Sequence, residues 1–355
     1  MPPEPLTPHQ ALACGAWVKW IGGASNQDLA AIQDLAGIYA LAGVHCLDVA
    51  ADRAVVAAAR RGIAWAQQRS AVAPWLMVSL SDGADPHFRK AWFDPACCPA
   101  DCKRPCSRVC PAEAIPSTPL AAGGVLAERC YGCGRCLPAC PLGLIEEHDQ
   151  QLPAEAVAAL LRELQPDAVE LHTRLGRGPA FAQRLEQVRA SGVPLQRLAV
   201  SCGLEPAAGE QAALVPASPQ ELAAELWQRF SLLRAAGYRP LWQLDGRPMS
   251  GDVGAGTAHA AVNLALAVAP HAPPGPLQLA GGTNDHSLAV LQRRGAPGRQ
   301  LSGVAFGGVA RSLLQPLLQQ AQERGRGLLA DAELWPRALE LARALVGPWL
   351  ARQRR

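Results

Sequence analysis

Nine of the twelve cysteines in the chain fall between Cys97 and Pro141, and their spacing is that of a cluster binder. Cys130-Tyr-Gly-Cys133-Gly-Arg-Cys136-Leu-Pro-Ala-Cys140-Pro141 is the C-x2-C-x2-C-x3-C-P run by which bacterial-type ferredoxins hold iron–sulfur clusters. Three thiolates two residues apart take one corner each of a cubane. The fourth, set off by the longer gap and the proline, is turned towards a second cluster, so the run predicts a partner. Upstream stand Cys98, Cys102, Cys106 and Cys110-Pro111, which keep the final x3-C-P and widen each earlier gap from two residues to three.

Read as a pair, Cys98, Cys102 and Cys106 with Cys140 hold one cluster, and Cys130, Cys133 and Cys136 with Cys110 hold the other. Eight thiolates suffice for two iron–sulfur clusters of the 4Fe–4S type. The stretched first run leaves its nuclearity open, because a displaced ligand gives 3Fe–4S, and Cys97 could replace Cys98. Two plainer readings are paired zinc sites and disulfides. Zinc fingers favour separated C-x2-C pairs, and disulfides need an oxidising compartment. Met1 to Gln10, rich in proline and without an apolar stretch, reads as a disordered tail and gives no targeting signal. The expected location is cytoplasmic, and Cys14, Cys46 and Cys202 are then small core residues.

The chain has 355 residues, nearly half of them apolar, with a formal charge of +3. That suits one barrel of about 250 residues carrying a sizeable insertion. No lysine-rich block recommends nucleic acid as a partner, and no apolar run is long enough for a transmembrane segment.

Eight apolar stretches, the first at Trp17 to Gly22 and the last at Ser302 to Phe306, alternate with segments of helical periodicity. Strict alternation implies parallel pairing, and eight units close an α/β (β/α)8 TIM-like barrel. An open doubly wound sheet is the alternative. The cysteine-rich segment stands where a third crossover helix is due. The expected division is a tail over 1–15, three βα units over 16–83, an inserted ferredoxin-like two-cluster domain over 84–149, the rest of the barrel over 150–330, and a closing helix with a basic tail over 331–355.

Strand parity sends the large aliphatics outward and leaves Lys19, Asp48, Ser79, Glu170, His172, Ser201, Gln243 and Asp245 facing the interior. Buried ionisable groups are costly unless paired or wetted. This set is either a catalytic or binding mouth, with Lys19, Asp48, Glu170, His172 and Asp245 as candidates, or a self-neutralising plug. Gly281-Gly282-Thr283 and Gly307-Gly308 follow the last two strands, where barrels commonly bind phosphate. Glycine in tight βα turns is the plain alternative.

With these motifs placed, Trp17-Val-Lys-Trp-Ile-Gly-Gly-Ala-Ser-Asn26, Cys46-Leu-Asp-Val-Ala-Ala-Asp52, the segment from Val78 to Lys90 and the second cysteine run resemble the cyanobacterial light-dependent period family over nearly the full length. The resemblance implies an iron–sulfur protein of circadian-clock input that reports redox state, with clock-input proteins as partners. A second function is an oxidoreductase with a flavin or phosphorylated small molecule in the mouth, supplied with electrons by the clusters. A third has the clusters as staples for a segment too short to fold alone.

Overall fold

A computed structural model describes residues 6–69, 72–116, 124–150, 152–205, 217–247, 254–294 and 301–352. Eight parallel strands close a barrel: β1 (Trp17–Gly23), β2 (Cys46–Ala50), β3 (Trp75–Ser81), β6 (Ala168–His172), β7 (Arg197–Cys202), β8 (Pro240–Asp245), β9 (Leu277–Ala280) and β10 (Gly303–Phe306). The pairing of β1 with β10 completes the ring and rules out the open sheet. Between β3 and β6 lie β4 (Arg89–Trp92) and β5 (Glu146–Asp149), which pair antiparallel and zip the base of the cysteine-rich insertion. Sequence periodicity misses this hairpin, because strands of four residues alternate too briefly to register.

Helices follow the strands: α2 (Leu29–Ala42), α3 (Arg53–Gln67), α6 (Ala154–Leu164), α7 (Gly178–Arg189), α8 (Pro219–Ala235), α9 (Thr257–Val268), α10 (Ser287–Arg294), α11 (Gly308–Glu323) and α12 (Leu334–Leu350). The insertion contributes two single turns, α4 (Pro105–Arg108) and α5 (Cys136–Ala139). The expected disordered tail over 1–15 is corrected in its second half: α1 (Pro8–Cys14) is helical, held by a reciprocal Thr7–Gln10 capping box and stopped by left-handed Gly15. Its Ala11 and Leu12 bury against Trp17 and Trp75 and form the barrel floor. Residues 1–5, and the basic end at 353–355, lie outside the described residues.

The barrel interior is layered. At the floor lie Trp17, Cys46, Trp75, Met77, Ala168, Ala199 and Leu241. The next interior positions are polar, and above them the mouth opens. Outward-facing Leu47, Val49, Leu76, Val78, Val169, Leu171, Leu198 and Val200 pack into the helix layer, as parity requires. Each such side chain contributes roughly 1.5–3 kcal/mol by leaving water. Cys46 and Cys202 are buried, whereas Cys14 is only partly so.

Candidate functional site: two thiol hollows above a barrel mouth

Inside the insertion, Phe93, Ala114, Ile115, Val125 and Ile145 form a small apolar core with Cys106, Cys130 and Cys136. Around it the thiols divide into two sets. Cys98, Cys102, Cys106 and Cys140 line one hollow with Phe93, Leu142 and Ile145. Cys110, Cys130, Cys133 and Cys136 line the other with Ala91, Val125 and Tyr131. The structure therefore brings the fourth cysteine of each run to the triad of the other run. Cys97 is exposed and turned aside, its Sγ 3.6 Å from an Asp94 oxygen.

The widened first run keeps the local geometry of the second. After each Cys-Pro, an N–H four residues on donates to the cysteine sulfur: Ala114 to Cys110 at 3.2 Å and Leu144 to Cys140 at 3.4 Å. Ala91 N–H donates to Cys130 at 3.3 Å and Arg104 N–H to Cys102 at 3.4 Å. Amide donors aimed at sulfur are what thiolate ligands need. Burial, with Cys133, Cys130 and Cys110 close by, pushes the Cys136 thiol up to about 12. Four thiolates gathered this closely need a cationic centre, so the donor set fits iron–sulfur ligation.

The insertion sits on the barrel's upper rim. Gln27 N–H donates to Glu128 O at 2.8 Å, Lys90 Nζ reaches Gln27 Oε1 at 2.6 Å, and the Arg311 guanidinium stacks 4.2 Å over the Tyr131 ring while donating to Ile21 O at 2.8 Å. Gly132, at φ +72°, lies so near the Pro86 and Arg89 carbonyls that a Cβ would meet them at 2.4 and 2.5 Å. Close backbone approach explains that glycine.

Below the insertion opens a cavity of about 150 Å³, lined by Glu170, His172, Gln243, Asp245, Gly282 and Gly307 among others. Cys133 and Tyr131 belong to its wall as well as to the wall of the nearer thiol hollow. Lys19 and Asp48 stay beneath it, buried: Lys19 Nζ pairs with Asp48 at 2.9 Å and with Glu170. Glu170 Oε1 also takes Gln243 Nε2 at 2.9 Å and His172 Nε2 at 3.0 Å. Burial opposes the charge on Glu170, yet Lys19 and His172 hold it down at about 2. Burial also works against protonated His172, but the hydrogen bond and charge of Glu170 raise it to about 9. One part of the predicted polar set is thus a paired plug, and only Glu170, His172 and Asp245 of the five candidates face the cavity.

The glycine pairs divide too. Gly281 and Gly282 take positive φ, and a Cβ on either would strike the chain's own backbone or Thr257, which is the tight-turn explanation. The Thr283 hydroxyl donates to Ala305 O at 2.5 Å. Gly307 and Gly308 instead open α11, whose first turn has no side-chain cap and faces the cavity. Sequence reasoning missed Asp85, His87 and Arg311 at this rim; the Asp85-Pro-His87 run directly after β3 was the available signal.

Two family profiles match the chain: the LdpA Fe-S cluster-binding domain over residues 98–151 and the Light dependent period A C-terminal domain over 160–348. A curated protein named Light dependent period A, from Synechococcus elongatus, is 48% identical over 346 residues, covering 96% of this chain and 93% of that protein. Among solved structures, (S)-3-O-geranylgeranylglyceryl phosphate synthase from Thermoplasma acidophilum aligns at 11% identity and TM-score 0.39, over 94% of this chain and 96% of the other. Tryptophan synthase from Mycobacterium tuberculosis aligns at 12% and 0.43, over 98% and 95%. Among the described residues, no helix is long and apolar enough to cross a membrane.

Proposed function

The chain belongs to the light dependent period A family, and on that premise we propose that it is a redox-active protein holding two iron–sulfur clusters, whose oxidation state reports the cell's electron supply to the input side of the circadian clock. What supports this reading is the division of eight cysteines into two fourfold hollows, each completed by a cysteine from the other run. Cys98, Cys102, Cys106 and Cys140 would hold one cluster, and Cys110, Cys130, Cys133 and Cys136 the other. Each cluster supplies one-electron redox chemistry when bound. The protein's part is to fix thiolates, aim N–H groups at sulfur and choose the surroundings. A change of one charge acts on a unit charge about 10 Å away by roughly 1–2 kcal/mol at an effective dielectric near 20. That is enough to shift a docking face about tenfold.

The test is an EPR-monitored redox titration of anaerobically purified full-length protein. Two resolvable transitions between roughly −450 and −150 mV, a range bracketing the cytosolic poise, are expected. Clusters that keep one oxidation state across that range would end the sensing role.

The shared wall of Cys133 and Tyr131 favours a second reading: an oxidoreductase in which a flavin or phosphorylated small molecule occupies the mouth and exchanges electrons with the nearer cluster. The uncapped first turn at Gly307 and Gly308, with Arg311 beside it, would hold the anionic group. A flavin band, or a phosphorylated compound released on denaturing the purified protein, separates this reading from the first.

A further inference from the structure

At the rim of the mouth, on the side away from α11, Asp85 and His87, which no role above uses, converge with His172. Asp85 and His87 stand on the short turn that leaves β3, and His172 ends β6, the strand beside it. One donor atom from each lies within 4.8 Å of the other two. We propose that Asp85, His87 and His172 form a mononuclear site for a divalent first-row metal ion, with its open positions facing the mouth cavity.

Two imidazoles and one carboxylate with free positions are the ligand set of mononuclear non-haem iron and related ions. The geometry is partly assembled. Asp85 Oδ1 lies 2.7 Å from His87 Nδ1, a hydrogen bond whose proton a bound ion would replace. That carboxylate also accepts the His87 backbone N–H at 2.9 Å, which locks the turn. The His87 and His172 rings are stacked at a tilt, with centroids 4.8 Å apart, and Phe88 packs edge-on to His172.

The outer partner of His172 is also in place. Its Nε2 faces Glu170 Oε1 at 3.0 Å, which leaves the other ring nitrogen as the ligand atom. A carboxylate behind a metal-bound imidazole fixes its tautomer and raises its basicity. Asp85 is buried, with Arg174 Nε 3.9 Å from its Oδ2, and Asp245 and Glu205 face the same hollow. Arg174 and Arg247 line that hollow too, and Arg174 also pairs with Glu205 at 3.8 Å, so two guanidiniums offset part of the charge of these three carboxylates, and the ligand set itself carries the argument for a cation. Both histidines also line the main cavity, so a ligand entering the mouth would meet the ion directly. The proposal does not rest on the cluster reading, since none of its residues is a cysteine.

The test uses anaerobically purified, cluster-loaded full-length protein and Mn(II), an ion that carboxylate and imidazole take and thiolate does not favour. Loss of the free Mn(II) EPR signal counts bound ions, and one per chain is expected. Asp85→Asn and His87→Ala should each weaken binding about tenfold or more, with unchanged cluster absorption as the control for folding. His148→Ala, on the exposed hairpin, should bind as the parent does. Spin-echo modulation from imidazole nitrogen on the bound Mn(II) gives a readout that needs no variant. No stoichiometric uptake at concentrations up to about 1 mM, a weak-site limit, would overturn the proposal. So would a bound ion without imidazole nitrogen, or parent-like binding in both rim variants.

Discussion

The two thiol hollows have the same ligand count and the same turn chemistry, yet they sit in different surroundings. The one built on Cys110, Cys130, Cys133 and Cys136 presses against the barrel, shares the wall formed by Cys133 and Tyr131 with the mouth, and holds two buried cysteines, Cys130 and Cys136, where the other holds one, Cys106. The one built on Cys98, Cys102, Cys106 and Cys140 lies on the far side, bordered by Leu142, which is 53% exposed. Solvent exposure and amide donors set cluster potentials, so position alone separates the two. On the proposed reading, the inner hollow would exchange electrons with a ligand in the barrel mouth and the outer one with a partner outside it.

The largest effect that could break this comparison is loss of a whole cluster. Replacing Cys140 by Ser should remove the outer cluster, about four irons, although Cys140 belongs to the inner triad's sequence run. Cys110→Ser should remove the inner cluster instead. Iron analysis with EPR on both proteins reads the outcome, and damage confined to each residue's own run would show two independent sites in place of the crossed pair.

Next in size is the packing of the second cysteine run on the insertion's own neck. Gly132→Ala adds a methyl against two backbone carbonyls in a left-handed conformation, which should cost about 3 kcal/mol or more from strain and displacement together. Gly134→Ala is left-handed too, but its nearest neighbour is the Glu147 carboxylate at 3.6 Å, so about 1 kcal/mol is expected. Urea midpoints followed by cluster absorption compare the two, and equal losses would mean that the run is loosely packed on the neck.

The barrel floor provides a perturbation that touches neither hollow. His45 Nδ1 accepts the Val18 N–H at 3.2 Å, and burial lowers the ring's proton affinity to about 4. Between the ordinary value near 6.5 and about 4, the unfolded chain binds a proton that the folded barrel refuses. The contribution of His45 is therefore complete above pH 6.5 and shrinks as pH falls towards 4. The stability lost between pH 7 and pH 5 should be about 2 kcal/mol larger in the parent than in His45→Gln. Matching acid limbs in denaturant titrations of the two proteins would remove this account.

A single cation separates the surroundings of the two hollows most directly. Arg311→Met removes the cation stacked on Tyr131, at a cost of about 1 kcal/mol. It should move the potential of the inner cluster while leaving the outer one in place. Equal shifts in both potentials would show that the barrel does not discriminate between them.

Much of this was legible in the residues because the signals were periodic or stoichiometric. Alternation of strand and helix gave the barrel, the x3-C-P endings foreshadowed the exchange of fourth cysteines, and parity located Lys19, Asp48 and Glu170 inside. The rest depended on contacts without a period. The four-residue strands at Arg89 and Glu146 pair across more than fifty intervening residues, and α1 hides behind a proline-rich start. Nor can parity say which interior charges neutralise one another: Lys19 consumes Asp48 and part of Glu170, whereas His172 and Asp245 reach the mouth. Asp85 and His87 belong to a rim turn, and the pairing of β3 with β6, across the whole insertion, sets them beside His172.

The hairpin of β4 and β5 also bears on the order in which the molecule is made. Because the insertion leaves and returns through two paired strands, the chain enters and leaves it at a single narrow neck. The barrel strands on either side, β3 and β6, hydrogen-bond directly to each other. The barrel is thus expected to close without waiting for iron, with metal loading a late maturation step on a scaffold already standing. Iron-starved cells should accumulate a protease-resistant barrel with a nicked insertion, and degradation of the entire chain under iron starvation would show that the two parts mature together.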